Sequence, residues 1–266
     1  MRKINFFIIM LLSVCVLTTG CSAEEDTNKT MTPSKIVVYN EAKECIGETL
    51  LDDYNNEIKT TLIKENDGII DDSSTEYEYD QSGNILKKVF QSKSKSYIEE
   101  HVYESGKIVK TSFQGEYAGS SRSYTEEFDY DQYGNVTNIK HTEDSVTTVT
   151  EYKYTYDGEK IIACETIADG ETISNAEYTY DAKGNVIKSS ISQSNGAVIN
   201  IVEKEYDKFD NPTKEVTTMQ VGSAEQVTEI EYENEYNKKS QLSNVTQYII
   251  TNGQKQYIAE YEYIYE

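Results

Sequence analysis

The residues able to do chemistry are few and scattered. The chain holds two histidines, His101 and His141, four cysteines at 15, 21, 45 and 164, and no tryptophan. Neither histidine sits in a His-Glu-x-x-His or Cys-x-x-Cys arrangement that could hold zinc, and each reads as a strand-surface side chain. There is no Gly-x-Ser-x-Gly elbow, no phosphate-binding Gly-x-x-x-x-Gly-Lys loop and no nucleotide fingerprint, so acyl and phosphoryl transfer lack support. With 47 acidic residues against 25 basic ones, some carboxylate pair falls at glycosidase separation by accident, and their abundance argues for no hydrolase. Asp80, Asp131, Asp157, Asp181 and Asp207 recur without the Asp-x-Asp spacing and glycine of a calcium loop, so turn formation accounts for them. No catalytic residue, metal or cofactor is expected. A net charge of −22 repels phosphates over any broad contact, which argues against nucleic acid as a partner.

What remains is the chemistry of tyrosine, present 23 times in 266 residues. A phenol offers a large rigid face and a hydroxyl, and exposed ones can stack on a sugar or on a partner's flexible chain, so a glycan or protein ligand is expected. Abundant tyrosine, with only two prolines and 37% hydrophobic residues, points to polar strands and short turns, not to helices.

The N-terminus specifies an address. Arg2 and Lys3 precede an apolar run from Ile4 to Leu17, the charged and hydrophobic regions of an export signal, too short for a comfortable membrane span. The run ends in Leu17-Thr18-Thr19-Gly20-Cys21, which resembles the bacterial lipobox, with Thr18 where an aliphatic residue is usual. The resemblance implies cleavage between Gly20 and Cys21 and a diacylglycerol on the Cys21 thiol, a lipid anchor to a bacterial membrane outside the cytoplasm. An ordinary secretory signal with Cys21 incidental is the plainer alternative. Residues 1–20 are thus the signal and 21–34 a polar tether. Cys45 and Cys164 then stand too far apart to suggest a disulfide framework.

Beyond the tether the chain repeats. Tyr77-Glu78-Tyr79-Asp80-Gln81-Ser82-Gly83-Asn84-Ile85 recurs as Phe128 to Val136 and as Tyr178 to Val186, placing Asp131, Gly134, Asn135 and Asp181, Gly184, Asn185 at matching positions. Looser copies put Tyr54, Tyr79, Tyr103, Tyr130, Tyr156, Tyr180, Tyr206 and Tyr236 at intervals of about 26 residues, room for one β-hairpin per unit and about seventeen strands in all. Tyr77 and Tyr79 alternate with Glu76 and Glu78 as a half-buried strand requires. Asp80 opens the turn, and Gly83 and Asn84 supply the positive φ that closes it. If Tyr79 faces Ile85 across the hairpin, Tyr77 faces Lys87, and the rings cover Ile85, Val89 and the lysine stem. Residues 35–51, opening with Lys35-Ile36-Val37-Val38-Tyr39, read as a starting cap on an array that spans 52–266.

The motif Tyr-x-Tyr-Asp-x-x-Gly-Asn-(Ile/Val) resembles the YD repeat of the Rhs family. The resemblance implies a continuous antiparallel ribbon that spirals, closing in long members into a shell around a toxic C-terminal domain. It brings no catalytic residue. This chain has too few units to enclose a cargo, carries no segment after its last repeat and has Asn or Lys where Arg is common. The expected architecture is an all-β, elongated, curled antiparallel sheet of about eight hairpins, whose open edges would invite strand addition. The expected function is a surface-anchored, non-enzymatic binding or scaffold module of the cell envelope. Its alternatives are an accessory or remnant of a toxin-delivery shell and a carbohydrate hydrolase.

Overall fold

The computed structural model describes residues 33–63, 70–117 and 119–265. The signal segment, Gly20, Cys21 and all but the end of the tether lie outside the described residues.

The fold is all-β and antiparallel. Its eighteen strands, in chain order, are β1 (Lys35–Tyr39), β2 (Cys45–Leu51), β3 (Glu57–Ile63), β4 (Ile70–Tyr79), β5 (Ile85–Ser92), β6 (Lys95–Glu104), β7 (Lys107–Tyr117), β8 (Ser120–Tyr130) and β9 (Val136–Glu143). They continue with β10 (Val146–Asp157), β11 (Lys160–Ala168), β12 (Glu171–Tyr180), β13 (Val186–Gln193), β14 (Val198–Tyr206), β15 (Pro212–Val221), β16 (Ala224–Tyr236), β17 (Leu242–Thr251) and β18 (Gln254–Ile264). Each strand pairs with the next in sequence, and β1 also pairs with β18, Lys35 opposite Ile264 and Tyr39 opposite Glu260. The sheet is therefore a closed, up-and-down barrel, not the elongated open sheet expected from the repeat. Residues 35–51, expected to cap an array, supply the two strands that join its ends. Closure leaves no edge strand for a partner to extend.

A regular irregularity explains the closure. At one end of the barrel a register shift recurs in every hairpin, from Leu50/Leu51 and Glu78/Tyr79 through Glu205/Tyr206 to Glu235/Tyr236. A bulge bends its strand and adds twist, and one bulge per hairpin accumulates curvature in a single sense. The same bulge corrects the expected pairing. Tyr79 does face Ile85, but Leu86 is the extra residue, so Tyr77 faces Lys88, and Val89 faces Glu76 on the opposite side of the sheet.

Alternation gives the sheet an aromatic face and a carboxylate face. Tyr77, Lys88, Glu99, Phe113 and Tyr124 share the first by register, whereas Glu76, Val89 and Ile98 share the second. The carboxylate face carries cross-strand ion pairs such as Lys140–Glu127 and Lys188–Glu203. The aromatic face carries Lys88, Glu99, Glu126, Lys204 and Glu215 among its rings. Buried apolar residues among those described are few: Val37, Ile161, Cys164, Ile167, Val245 and Ala259. Cys45 and Cys164 are free thiols, on β2 and β11.

Candidate functional site

Antiparallel connectivity gathers every Tyr-Asp turn at one end of the barrel, together with Ser34 and the end of β18. There the Asp80 amide donates to the Asn84 carbonyl at 2.9 Å, and Gly83 closes the turn at φ +83°. Asp80 Oδ1 accepts the amides of Ser82 and Asn84 at 2.8 and 2.9 Å. Asp131 repeats this with Tyr133 and Asn135, and Asp181 with Lys183, Gly184 and Asn185. Only the fourth position of the turn needs a positive φ, so Asn84, Asn135 and Asn185 serve through their side chains. Asn55, Asp210 and Ser240 occupy that left-handed position where the motif has lost its glycine.

Three of the turns are finished by the next hairpin. The hydroxyls of Tyr79, Tyr156 and Tyr236 donate to the second carboxylate oxygens of Asp52, Asp131 and Asp207, and accept from the side-chain amides of Asn56, Asn135 and Asn211. Burial and the facing carboxylate push Tyr156 and Tyr236 up to about 12. Burial opposes the charge of Asp131, but the Tyr156 hydroxyl and the turn amides hold its carboxyl below the usual range. Elsewhere the tyrosine reaches a carbonyl instead: Tyr103 to Ile85, Tyr130 to Ile108, Tyr180 to Ile161 and Tyr206 to Val186, at 2.6–3.0 Å. The predicted turn residues are thus architectural, their hydrogen-bonding groups engaged.

The feature that sequence reasoning missed lies on the aromatic face of β5 to β9. Phe90, Tyr97, Phe113, Tyr124 and His141 form one unbroken strip, with successive ring centroids 5.0, 5.4, 4.7 and 4.8 Å apart. It spans roughly 20 Å, four inter-strand gaps of about 4.8 Å. Phe90 faces Tyr97 directly, and Phe113 faces Tyr124. Tyr97 reaches Phe113 diagonally because Gly115 stands opposite it. A Cβ at 115 would lie 2.6 Å from the Tyr97 Cβ and 3.1 Å from the Phe113 ring, so the glycine is what lets the rings meet.

Cations and acids border the strip. Lys95 Nζ lies 4.8 Å from the Tyr97 ring centre, and the Arg122 guanidinium 5.1 Å from that of Tyr124. Arg122 grips Glu143 with two hydrogen bonds of 2.6 and 3.0 Å. His141 Nδ1 lies 3.1 Å from Glu126 Oε1. His101 bridges Thr111 at 2.9 Å and Glu99 at 3.1 Å, and that bond holds the Glu99 carboxyl below its usual range. Phe90, Ser96, Tyr97, Gln114, Gly115 and Arg122 help to line an open cavity of about 640 Å³ beside the strip. Both histidines and the one arginine beyond residue 2 therefore converge here. They are 19 to 40 positions apart in the chain, and only the hairpin register brings them together. Among the described residues no group of acids, cysteines and histidines is arranged to hold a metal ion.

No family model and no curated protein matches the chain. Among solved structures it is similar to a chain of the Photorhabdus luminescens Tc holotoxin pore, at 12% identity over 88% of this chain and a TM-score of 0.31. It is also similar to porin-like proteins from Bacteroides uniformis and Bacteroides vulgatus. These match at 12% and 11% identity, each over 89% of this chain and 99% of theirs, with TM-scores of 0.41 and 0.35. The chain spans about a sixth of the length of the toxin chain it matches. Likenesses of this size extend to β architecture alone.

Proposed function

We propose that this chain is an extracytoplasmic, non-enzymatic binding module, held to a bacterial membrane by a lipid on Cys21, whose aromatic strip takes an envelope glycan. The observation carrying this reading is the five-ring strip itself, bordered by Lys95 on the Tyr97 ring and by the Arg122–Glu143 pair, so that cations and acids both stand beside it. Such a surface offers ring edges, phenol hydroxyls and apolar area with little local net charge, which suits a neutral, hydroxyl-rich ligand better than an ionic one. The overall charge of −22 weighs further against acidic ligands.

The test is a titration of the purified chain with solubilised envelope polysaccharide, alongside Tyr97→Ala and Tyr124→Ala, with a thermal melt to verify folding. Loss of one aromatic contact of about 1.4 kcal/mol weakens binding about tenfold. Unchanged binding by both folded variants removes the strip from the reading. Retention of polypeptide but no glycan reassigns the ligand.

A further inference from the structure

Three of the rim turns carry an aromatic residue at their third position: Tyr54, Tyr133 and Phe209. Each ring packs at a tilt on the tyrosine that completes its turn, at 4.6 Å on Tyr79, 4.7 Å on Tyr156 and 4.4 Å on Tyr236. The three residues stay 58%, 47% and 38% exposed, although Lys208 Nζ lies 4.6 Å from the Phe209 ring centre and Tyr54 lies against Gly83. They occupy the β2–β3, β8–β9 and β14–β15 turns, six strands apart each time in a ring of eighteen. The exposed rings thus recur at thirds of the circumference on a single rim.

The same rim receives the N-terminal segment. Ser34 is fixed between the two neighbours of β1, its amide on the Ile264 carbonyl at 2.8 Å and its carbonyl on the Leu51 amide at 2.9 Å. Residues 22–34 bridge at most about 45 Å when fully extended, so a lipid on Cys21 brings this end of the barrel to the membrane first. A half-exposed tyrosine, with an apolar ring and a polar hydroxyl, favours the headgroup boundary of a bilayer, and a half-exposed phenyl ring beside it adds apolar area.

We infer that the Tyr54, Tyr133 and Phe209 turns are three feet on which the barrel rests against a lipid surface. This rests on the lipid-anchor reading. The rim carries Lys107, Lys160, Lys183 and Lys208 beside its aspartates, a mixed charge that suits a zwitterionic bilayer.

The experiment uses the full chain, isolated from bacterial membranes in detergent and reconstituted into phosphatidylcholine vesicles with or without acyl-chain bromination. With no native tryptophan, Tyr54→Trp, Tyr133→Trp and Phe209→Trp each report one foot, and Ile173→Trp, half exposed near the opposite rim, reports the far end. Brominated lipid is expected to quench the three rim reporters at least twofold and to leave position 173 unchanged. Unquenched rim reporters in a protein that floats with the vesicles overturn the feet and leave the anchor standing. Failure of the wild type to float, or flotation equal in Cys21→Ser, overturns the anchor and the feet with it. Iodination of Tyr54 and Tyr133 in the unmutated chain, read by mass spectrometry, provides a measurement free of folding effects. Protection in vesicles relative to detergent is expected, and equal labelling overturns the contact.

Discussion

The hydroxyl of Tyr156 donates to the carboxylate of Asp131, 25 residues earlier and one hairpin away. The aromatic and acidic halves of the motif therefore meet between units, not within one. At Asp52, Asp131 and Asp207 the turn lacks a donor that the tyrosine of the next hairpin supplies, whereas Asp80 and Asp181 take it from the asparagine of their own turn. This gives the tyrosine period a cause beyond strand propensity.

Tyr156→Phe keeps the ring on Tyr133 and removes the hydroxyl that donates to Asp131 and accepts from Asn135, and is expected to lower stability by about 1–2 kcal/mol, read as a lower urea midpoint. Asp131→Ala is expected to cost more, because the turn amides of Tyr133 and Asn135 lose their acceptor as well. Equal midpoints for wild type and Tyr156→Phe would show that the hydroxyl is idle.

Alkaline stability follows from the same bonds. Tyr156 and Tyr236 ionise near 12 in the fold against 10.0 for a free phenol. On raising the pH the unfolded chain releases these protons first, so their contribution is complete below about pH 10 and is lost as pH climbs to about 12. Urea midpoints at pH 8, 10 and 11, with phenolate absorbance followed in parallel, should fall only above pH 10. A midpoint that is flat to pH 12 contradicts the assignment.

Three serines hold left-handed backbone at turns: Ser105 at φ 52°, Ser145 at φ 67° and Ser240 at φ 61°. Ser145→Gly and Ser240→Gly relieve that conformation, offset by glycine's freedom in the unfolded chain, for a net gain of about 0.5 kcal/mol each. The two sites lie at opposite ends of the barrel, so the double variant should show the sum. Lower thermal midpoints would count against this account.

Gly115→Ala forces its methyl into Tyr97 and Phe113 and is expected to cost about 1–3 kcal/mol, with weaker glycan retention where the strip binds one. Gly119→Ala, at a turn where an added Cβ meets nothing within 4 Å, tests backbone strain without the ring collision. Indistinguishable thermal shifts in the two variants would reject the steric reading of position 115.

The hairpin, its length and its turn were legible because Tyr79, Asp80 and Gly83 act on near neighbours, where residue type and spacing govern geometry. Leu86 marks the limit. One extra residue opposite Glu78 and Tyr79 shifted Tyr77 from Lys87 to Lys88 and, repeated in each hairpin, curled the ribbon until β1 met β18. No residue type announces such a bulge. The aromatic strip was hidden for a related reason. Phe90 and His141 share a surface only through four successive registers, so single positions looked like isolated strand residues. The triple spacing of Tyr54, Tyr133 and Phe209 was visible in the chain as an aromatic at the third turn position in every third unit.

The bond from the Ser34 amide to the Ile264 carbonyl leaves the barrel without a structural beginning. Chain order and position around the ring coincide at every step, and the break between the first and last strands is one gap among eighteen equivalent ones. A gene that joins residue 265 to residue 34 through a short linker and opens at the Asp169–Gly170 turn would encode the same ring with its ends moved to the far rim. In such a circular permutant a lipid carried on the new N-terminus would present the opposite mouth of the barrel to the membrane, inverting the molecule without changing a single strand.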